Sequence, residues 1–251
     1  MKKPFIILAT LACVALVGLT VSCNKEDSTV INNSNWDGVS VPVWESPTKK
    51  IKQINYTYRG PPLVHRFTWN GDNLTHFEAE LNGSFTSTAD FTYENGKVST
   101  IKLEQIDSPE ITSRFAWDGN RVVSETIEAE NEQMAIEYTY RNGQLSNIKS
   151  DGMTTNLTWN SGNLMSMEVA DGVQYYTYDS GKNPLHVFMG FFMMQAFEYV
   201  NIFSVNTLHT APSLDIISYT YDADGFPITM SWSDDGSGRN DTITMTFTYY
   251  E

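Results

Sequence analysis

Phe91-Thr92-Tyr93-Glu94-Asn95-Gly96-Lys97-Val98-Ser99-Thr100-Ile101 is the stretch from which the rest of the chain can be read. Two aromatic residues flank a threonine, a turn containing glycine follows, and Val98 and Ile101 stand three positions apart beyond it. Aromatic-Thr-aromatic alternates with a period of two, so both rings fall on one face of a strand and the threonine on the other. Aromatic and β-branched residues suit a half-buried pleated surface. Asn-Gly supplies the positive φ that a two-residue hairpin turn requires. Val98 then opens a return strand, and the stretch predicts a β-hairpin. Ile101 would fall on the opposite face from Val98 in a regular strand; either a β-bulge near the glycine end or a strand that begins after Val98 would reconcile the spacing.

The same unit recurs along the chain. Its copies are Phe67-Thr68-Trp69-Asn70-Gly71, Phe115-Ala116-Trp117-Asp118-Gly119, Tyr138-Thr139-Tyr140-Arg141-Asn142-Gly143 and Leu157-Thr158-Trp159-Asn160-Ser161-Gly162. Tyr176-Thr177-Tyr178-Asp179-Ser180-Gly181 and Tyr219-Thr220-Tyr221-Asp222-Ala223-Asp224-Gly225 follow. Tyr56-Thr57-Tyr58-Arg59-Gly60 reads as a degenerate first copy, and Phe247-Thr248-Tyr249 as a last strand with no turn after it. Leu74, Val98, Val122, Leu145 and Leu164 follow the glycines, with Phe77, Ile101, Ile148 and Met167 three residues further on; the third copy departs, with Glu125 there. From Trp69 to Tyr178 the second aromatics are spaced by 24, 24, 23, 19 and 19 residues. A fixed period of this kind marks a repeat architecture.

The expected fold is therefore all-β: an antiparallel meander of about 14–17 strands of roughly seven to ten residues each, forming a soluble barrel or rolled sheet. A sheet of that width tends to curl, and closure removes the edge strands on which other chains could pair. The face opposite the rings carries Thr68, Thr92, Thr139, Thr158, Thr177 and Thr220 among many acids and serines. A membrane-spanning barrel needs an apolar outer face, so the rings are expected to point inward and stack there.

Residues 1–22 read as an export signal: basic Lys2 and Lys3, an apolar run from Phe5 to Val21, then Val21-Ser22-Cys23. The run is short for a membrane span. This end resembles the lipobox of bacterial lipoproteins, in which the residue matching Cys23 becomes the first mature residue and the site of lipid (palmitate) attachment. Cys13 would leave with the signal, and Cys23 would be acylated, so no disulfide, thiolate nucleophile or cysteine metal site remains. Removing the signal leaves 14 basic against 30 acidic residues, a formal charge of −16. That charge disfavours nucleic acid and anionic membrane surfaces as partners, so membrane contact is expected through the N-terminal lipid only. Residues 23–50 read as a polar tether, with Trp36 and Trp44 docking on the first strands, and residues 51–251 as the repetitive hairpin domain.

The Tyr219–Phe226 stretch resembles the YD repeat of Rhs-type proteins, whose hairpins build spiralling β-sheets. Residues 50–251 are similar to a Bacteroidetes lipoprotein family of unassigned function with a porin-like fold. That resemblance implies a barrel or rolled sheet and an outer-membrane, cell-surface or periplasmic address; it brings no activity. Lys25-Glu26-Asp27 resembles the surface-export signal of such lipoproteins.

Between the sixth and seventh copies the spacing jumps to 43 residues. This insertion, 184–218, includes the apolar run His186–Phe203, expected to form a short helix that plugs or caps the barrel. A Met- and Phe-rich adaptable surface that binds a partner or lipid is the other reading.

The catalytic signals are weak. His65, His76, His186 and His209 share no metal-ligand spacing. Asp222-Ala223-Asp224-Gly225 and Asp234–Asp241 are acidic turns without the terminal Glu of a calcium loop. No nucleophile elbow surrounds any serine, and nothing singles out a glycosidase carboxylate pair. The expectation is no catalytic residue, no cofactor and no metal. The leading reading is a non-enzymatic binding or interaction module for a glycan or protein ligand. A structural β-shell comes second and a glycan-active enzyme third. A rim cluster of Trp and Tyr would favour glycan binding.

Overall fold

The computed structural model describes residues 49–58, 60–119, 121–170, 172–185, 204, 206–211, 216–234 and 241–251. The alternating pattern takes almost all of them into antiparallel strands. In chain order these are β1 (Ile51–Thr57), β2 (Leu63–Asn70), β3 (Asn73–Leu81), β4 (Ser84–Glu94), β5 (Lys97–Gln105) and β6 (Ile111–Asp118). Then come β7 (Arg121–Ala129), β8 (Glu132–Arg141), β9 (Gln144–Ser150), β10 (Met153–Asn160), β11 (Asn163–Val169) and β12 (Gly172–Tyr175). β13 (Thr177–Lys182), β14 (Asn206–Thr210), β15 (Ser218–Tyr221), β16 (Pro227–Asp234) and β17 (Asp241–Tyr249) complete the set. Cys23, Trp36, Trp44 and the apolar run 186–203 lie outside the described residues.

Fifteen strands form one sheet in the order β12 down to β1, then β17, β16 and β15. The expected meander of 14–17 strands is thus present, with one rearrangement. β1 pairs with β17, so strands from the two ends of the domain lie side by side within the sheet. The sheet does not close through its own edge strands, β12 and β15. β13 and β14 form a separate two-stranded ribbon. Within the insertion, Asn206–Thr210 is therefore a strand, consistent with the strand preference of its two threonines.

The hairpin unit has a specific geometry. In β2–β3, Thr68 faces His76 and Trp69 faces Leu74, so Thr75 is an extra residue. Ser99, Val123, Ser146 and Met165 hold the same place in β4–β5, β6–β7, β8–β9 and β10–β11. The extra residue flips the alternation once. Leu74 and Phe77, Val98 and Ile101, Leu145 and Ile148 are consequently all buried on one face despite a spacing of three. Where the bulged residue carries a hydroxyl, that hydroxyl bonds across the hairpin: Thr75 to the Thr68 carbonyl at 3.1 Å, Ser99 to Thr92 at 3.2 Å, Ser146 to Thr139 at 3.0 Å. The turn beyond uses left-handed backbone, as at Asn95 (φ 52°) and Gly96 (φ 76°), the type that matches strand twist.

The reading of Tyr56-Thr57-Tyr58 as a first copy needs correction. Tyr249 faces Ile51 and Phe247 faces Ile54, with the register shifting between Ile51 and Gln53. That is the register of Trp69 with Leu74 and Phe67 with Phe77. β17 and β1 are the two halves of one unit, split between the ends of the domain; Tyr56 and Thr57 sit at the other end of β1. The misreading arose because aromatic-Thr-aromatic is ordinary strand chemistry, and only register tells a copy from a lookalike.

The units are tied to one another by the second aromatic. Trp69 Nε1 donates to the Ile51 carbonyl at 2.8 Å, Tyr93 Oη to Leu74 at 2.9 Å, Trp117 Nε1 to Val98 at 2.7 Å and Tyr140 Oη to Val122 at 2.8 Å. Trp159 to Leu145, Tyr178 to Leu164 and Tyr249 to Pro227 continue the series at 2.6, 2.7 and 2.8 Å. Each acceptor lies beyond the last paired residue of the ladder between units; β3 and β4, for instance, pair only from His76 and Asp90. The ring thus supplies the hydrogen bond that the bulge takes from the ladder. Burial raises the phenol pKa values; even Tyr140, where the charge of Arg121 opposes the shift, is pushed up to about 12, so the hydroxyls remain donors at any ordinary pH.

The rings and aliphatics from β1 round to β17 belong to one buried cluster, with Leu185 and Leu208. The opposite wall is polar and cross-linked by side chains: Arg66 with Glu78 and Glu80 at 3.0 and 2.7 Å, Arg114 with Glu128 at 3.2 Å, Asn156 with Glu168 at 2.8 Å. This is a wall suited to water and the reverse of a lipid-facing barrel surface.

Replacing Tyr140 by Phe removes one tie and leaves a part-buried carbonyl with one donor fewer. It should cost about 1–3 kcal/mol in urea unfolding, whereas Ser146→Ala should cost less.

Candidate functional site

Among the described residues, the groups that could carry function lie at the seam between the sheet's two edges, in the core at Glu125, and at the turns. The seam is filled by the β13–β14 ribbon. On one side the Tyr176 N–H donates to the Met165 carbonyl at 3.0 Å, and Asn206 and Asn163 exchange hydrogen bonds at 2.9 and 3.0 Å. Ser204 is fully buried; its hydroxyl accepts from the Leu164 N–H at 3.0 Å and donates to Tyr178 Oη at 2.8 Å. On the other side the Ile217 N–H donates to the His209 carbonyl, and the Lys182 N–H to Gly225, each at 2.9 Å. Tyr219 Oη donates to the Leu208 carbonyl at 2.7 Å. The ribbon is thus held between the edges by single bonds and side chains rather than by a continuous ladder.

At the centre of this second side, Tyr221 Oη and Thr207 Oγ1 both donate to the Asp179 carboxylate, which also accepts the Gly181 N–H at 2.8 Å. Burial, then the bond to Asp179, raises the Tyr221 pKa. The Tyr221 ring lies close against Gly181, and a Cβ at that position would collide with it. Tyr221 is the second aromatic of its copy and would elsewhere tie to a carbonyl; here the insertion interrupts the unit, and Asp179 takes over as acceptor. These residues went unnoticed in the sequence. The available signal was the replacement of Asn-Gly by Asp179-Ser180-Gly181 where the spacing breaks.

The acidic turn Asp222–Gly225 is occupied by its own neighbours. Asp222 Oδ1 accepts the N–H groups of Asp224 and Phe226 at 2.9 and 3.0 Å. Lys49 Nζ lies 2.5 Å from Asp222 and 3.2 Å from Asp224, and over the rings of Tyr249 and Phe226 at 5.3 and 5.9 Å. Loss of hydration works against the Asp222 charge, but Lys49 and the two N–H groups outweigh it and hold the carboxyl below its usual pKa. Lys49, just before β1, is thereby fastened to the seventh unit.

Glu125 is fully buried, and Tyr138 Oη donates to its Oε2 at 2.6 Å. It takes the core position that Phe77 and Ile101 fill in other copies. His65 and His76 stand on β2 and β3 and His209 on β14; among the described residues no group of three or more His, Cys, Asp or Glu could hold a metal ion. Burial pushes the His65 imidazole down to about 4, and Phe77 lies against its ring at 5.3 Å. His76 contacts Asp90 at 2.7 Å on the outer wall. Trp69, Trp117, Trp159 and Trp232 are core residues or packed against the core. The arrangement can hold a sheet together and present turns to a partner.

No protein-family model and no curated protein sequence matches the chain. Among solved structures, a porin-like protein from Bacteroides uniformis superposes with a TM-score of 0.55 at 13% identity, over 82% of this chain and 99% of that one. A second, from Bacteroides vulgatus, gives 0.42 at 10% identity over 80% and 99%. The first likeness shows that the fold is porin-like.

Gly181→Ala should lower stability by about 1–3 kcal/mol through overpacking. Adding Tyr221→Ala should recover part of that loss, so that the two substitutions are strongly non-additive in a double-mutant cycle. The Lys49–Asp222 contact carries a pH signature. A carboxyl held below its usual pKa stabilises above the ordinary aspartate pKa of about 4 and loses that contribution as pH falls through its lowered value. Lys49 is raised, so its contribution holds below the ordinary lysine pKa of about 10 and fades as pH rises through the raised one. The stability gap between wild type and Lys49→Met should form a plateau between these limits and shrink in acid and in strong base.

Proposed function

We propose that the protein is a cell-envelope lipoprotein, anchored through Cys23, whose β-domain is a non-enzymatic interaction module. The observation that carries this reading is where the polar atoms of the repeat go. The indole and phenol groups of Trp69, Tyr93, Trp117, Tyr140, Trp159, Tyr178 and Tyr249 are bound to backbone carbonyls. The outer wall is paired across strands, as at Arg66 and Arg114. The repeat therefore builds a scaffold, and contact with a ligand falls to turns displayed by it, as in other rigid β-scaffolds. The basic start, apolar run and Val21-Ser22-Cys23 support export and lipidation. The polar outer wall supports attachment by lipid rather than by insertion of the barrel.

A structural β-shell is the second reading, favoured by the β17–β1 unit, which joins the two ends of the domain into one sheet.

In the native host, palmitate labelling should be present in the wild type and lost in Cys23→Ser, which should move from the membrane to the soluble fraction; unchanged labelling would refute the anchor. Purified protein offered to glycan arrays and to envelope extracts should retain a ligand that competes with itself. Silence on both would favour the shell.

A further inference from the structure

A meander places alternate turns at opposite ends, and the two ends of this sheet differ in chemistry. At the end holding the Gly turns of the repeat, charges are mixed: Glu94, Lys97, Asp118, Arg121 and Arg141. At the opposite end, the turns β3–β4, β5–β6, β7–β8, β9–β10 and β11–β12 follow one another along the sheet. There Asp107, Glu110, Glu130, Glu132 and Asp151 are exposed; no Lys or Arg belongs to the described residues of these turns, and the cation recorded against one of these carboxylates is Lys102, 3.5 Å from Glu110. The same turns expose large apolar side chains: Met153 at 63%, Ile106 at 55%, Val173 at 45%, Phe85 at 44% and Leu81 at 42%. Most of the large apolar side chains exposed among the described residues are at this end. Apolar groups set among charges of one sign, on a wall that is elsewhere polar and paired, mark an interaction surface.

Resting on the interaction-module reading, we propose that this rim binds a cationic amphipathic polypeptide segment, which sets its apolar face on Phe85, Ile106 and Met153 and its Lys or Arg side chains against Asp107, Glu130, Glu132 and Asp151. Charge complementarity selects this occupant. A second copy of the chain, or an anionic lipid surface, would bring the same sign of charge to the rim. Strands stand about 4.8 Å apart, so five successive hairpins span roughly 40 Å along the sheet. A helix of about 20 residues is roughly 30 Å long, so one such segment could touch three or four turns. Attraction of this kind is steep in ionic strength.

The test uses the purified full-length protein and a fluorescein-labelled 20-residue Leu/Lys amphipathic peptide, followed by anisotropy, beside a Leu/Glu counterpart and anionic vesicles. Binding of the Leu/Lys peptide should weaken about tenfold or more, equivalent to 1.4 kcal/mol per decade, in two variants. One combines Phe85→Ser, Ile106→Ser and Met153→Ser; the other combines Asp107→Asn, Glu130→Gln, Glu132→Gln and Asp151→Asn. A control with the same charge change at the opposite end, Asp72→Asn, Glu94→Gln, Asp118→Asn and Asp224→Asn, should bind as wild type. Unfolding curves establish that each variant is folded; a rim variant that fails to fold is replaced by its single substitutions, Met153→Ser and Asp151→Asn, each expected to weaken binding about twofold to threefold. Equal weakening in the control would reduce the effect to net charge and overturn the proposal. So would unchanged binding in the rim variants, comparable binding of the Leu/Glu peptide or the vesicles, or a rim-dependent dimer in sedimentation. If a ligand captured from arrays or extracts still binds the rim variants, the rim proposal fails and the interaction-module reading stands.

Discussion

The hydrogen bond from a unit's second aromatic to a backbone carbonyl of the unit before it, made in every unit but that of Tyr221, is what the rest of this molecule depends on. A bulge brings the aliphatic residue and its partner three positions later onto one face, but it also interrupts the ladder to the next hairpin. Without a donor, the carbonyls of Ile51, Leu74, Val98, Val122, Leu145 and Leu164 would be left short of a partner at the rim of an apolar core, each at a cost comparable to a lost hydrogen bond. The indole or phenol supplies the donor from a ring that is itself buried. One residue thus fills the core, repairs the ladder and fixes the distance between hairpins.

This device explains why Trp and Tyr exchange freely at one position of the repeat. Both carry a donor at the far end of a flat apolar body; Phe, common at the first aromatic position, does not occur at the second. It also explains where the pattern gives way. At the seam the insertion separates Tyr178 from the strand that completes its unit, and the ties shift. Tyr219 takes the carbonyl of Leu208, and Tyr221 is redirected to Asp179 over the bare surface of Gly181. Edges of a wide sheet invite pairing with other chains; here a ribbon secured by Asn163, Asn206, Ser204 and Asp179 stands between them.

Much of this was legible locally. Period two, Asn-Gly turns and the spacing of three implied hairpins, one aromatic face and a bulge or a late strand start, whereas Glu125 stood out only as a departure from the repeat and its burial was not read from it. The targets of the rings were not legible, because a phenol that bonds a carbonyl and one that contacts a ligand look the same in a sequence. The false copy at Tyr56 and the strand at Asn206–Thr210 have the same origin: short β-prone runs acquire their meaning from the strand they pair with.

By itself the sequence determined the hairpin unit, its handed turns, its inward and outward faces and the acidic character of the whole, since each follows from contacts within a few residues or from composition. The ties between units join residues between 14 and 22 positions apart, and which carbonyl each ring meets follows only from the register that the structure sets. Tertiary structure alone decided that β17 and β1 form one unit, that a ribbon rather than an edge-to-edge ladder bridges from β11 to the β15–β16 hairpin, and that the exposed apolar side chains gather at one end with the carboxylates. These pairings join residues as far apart as Ile51 and Tyr249. Such contacts become favourable only after the intervening hairpins have formed and the loop-closure cost has been met, so no local pattern encodes them.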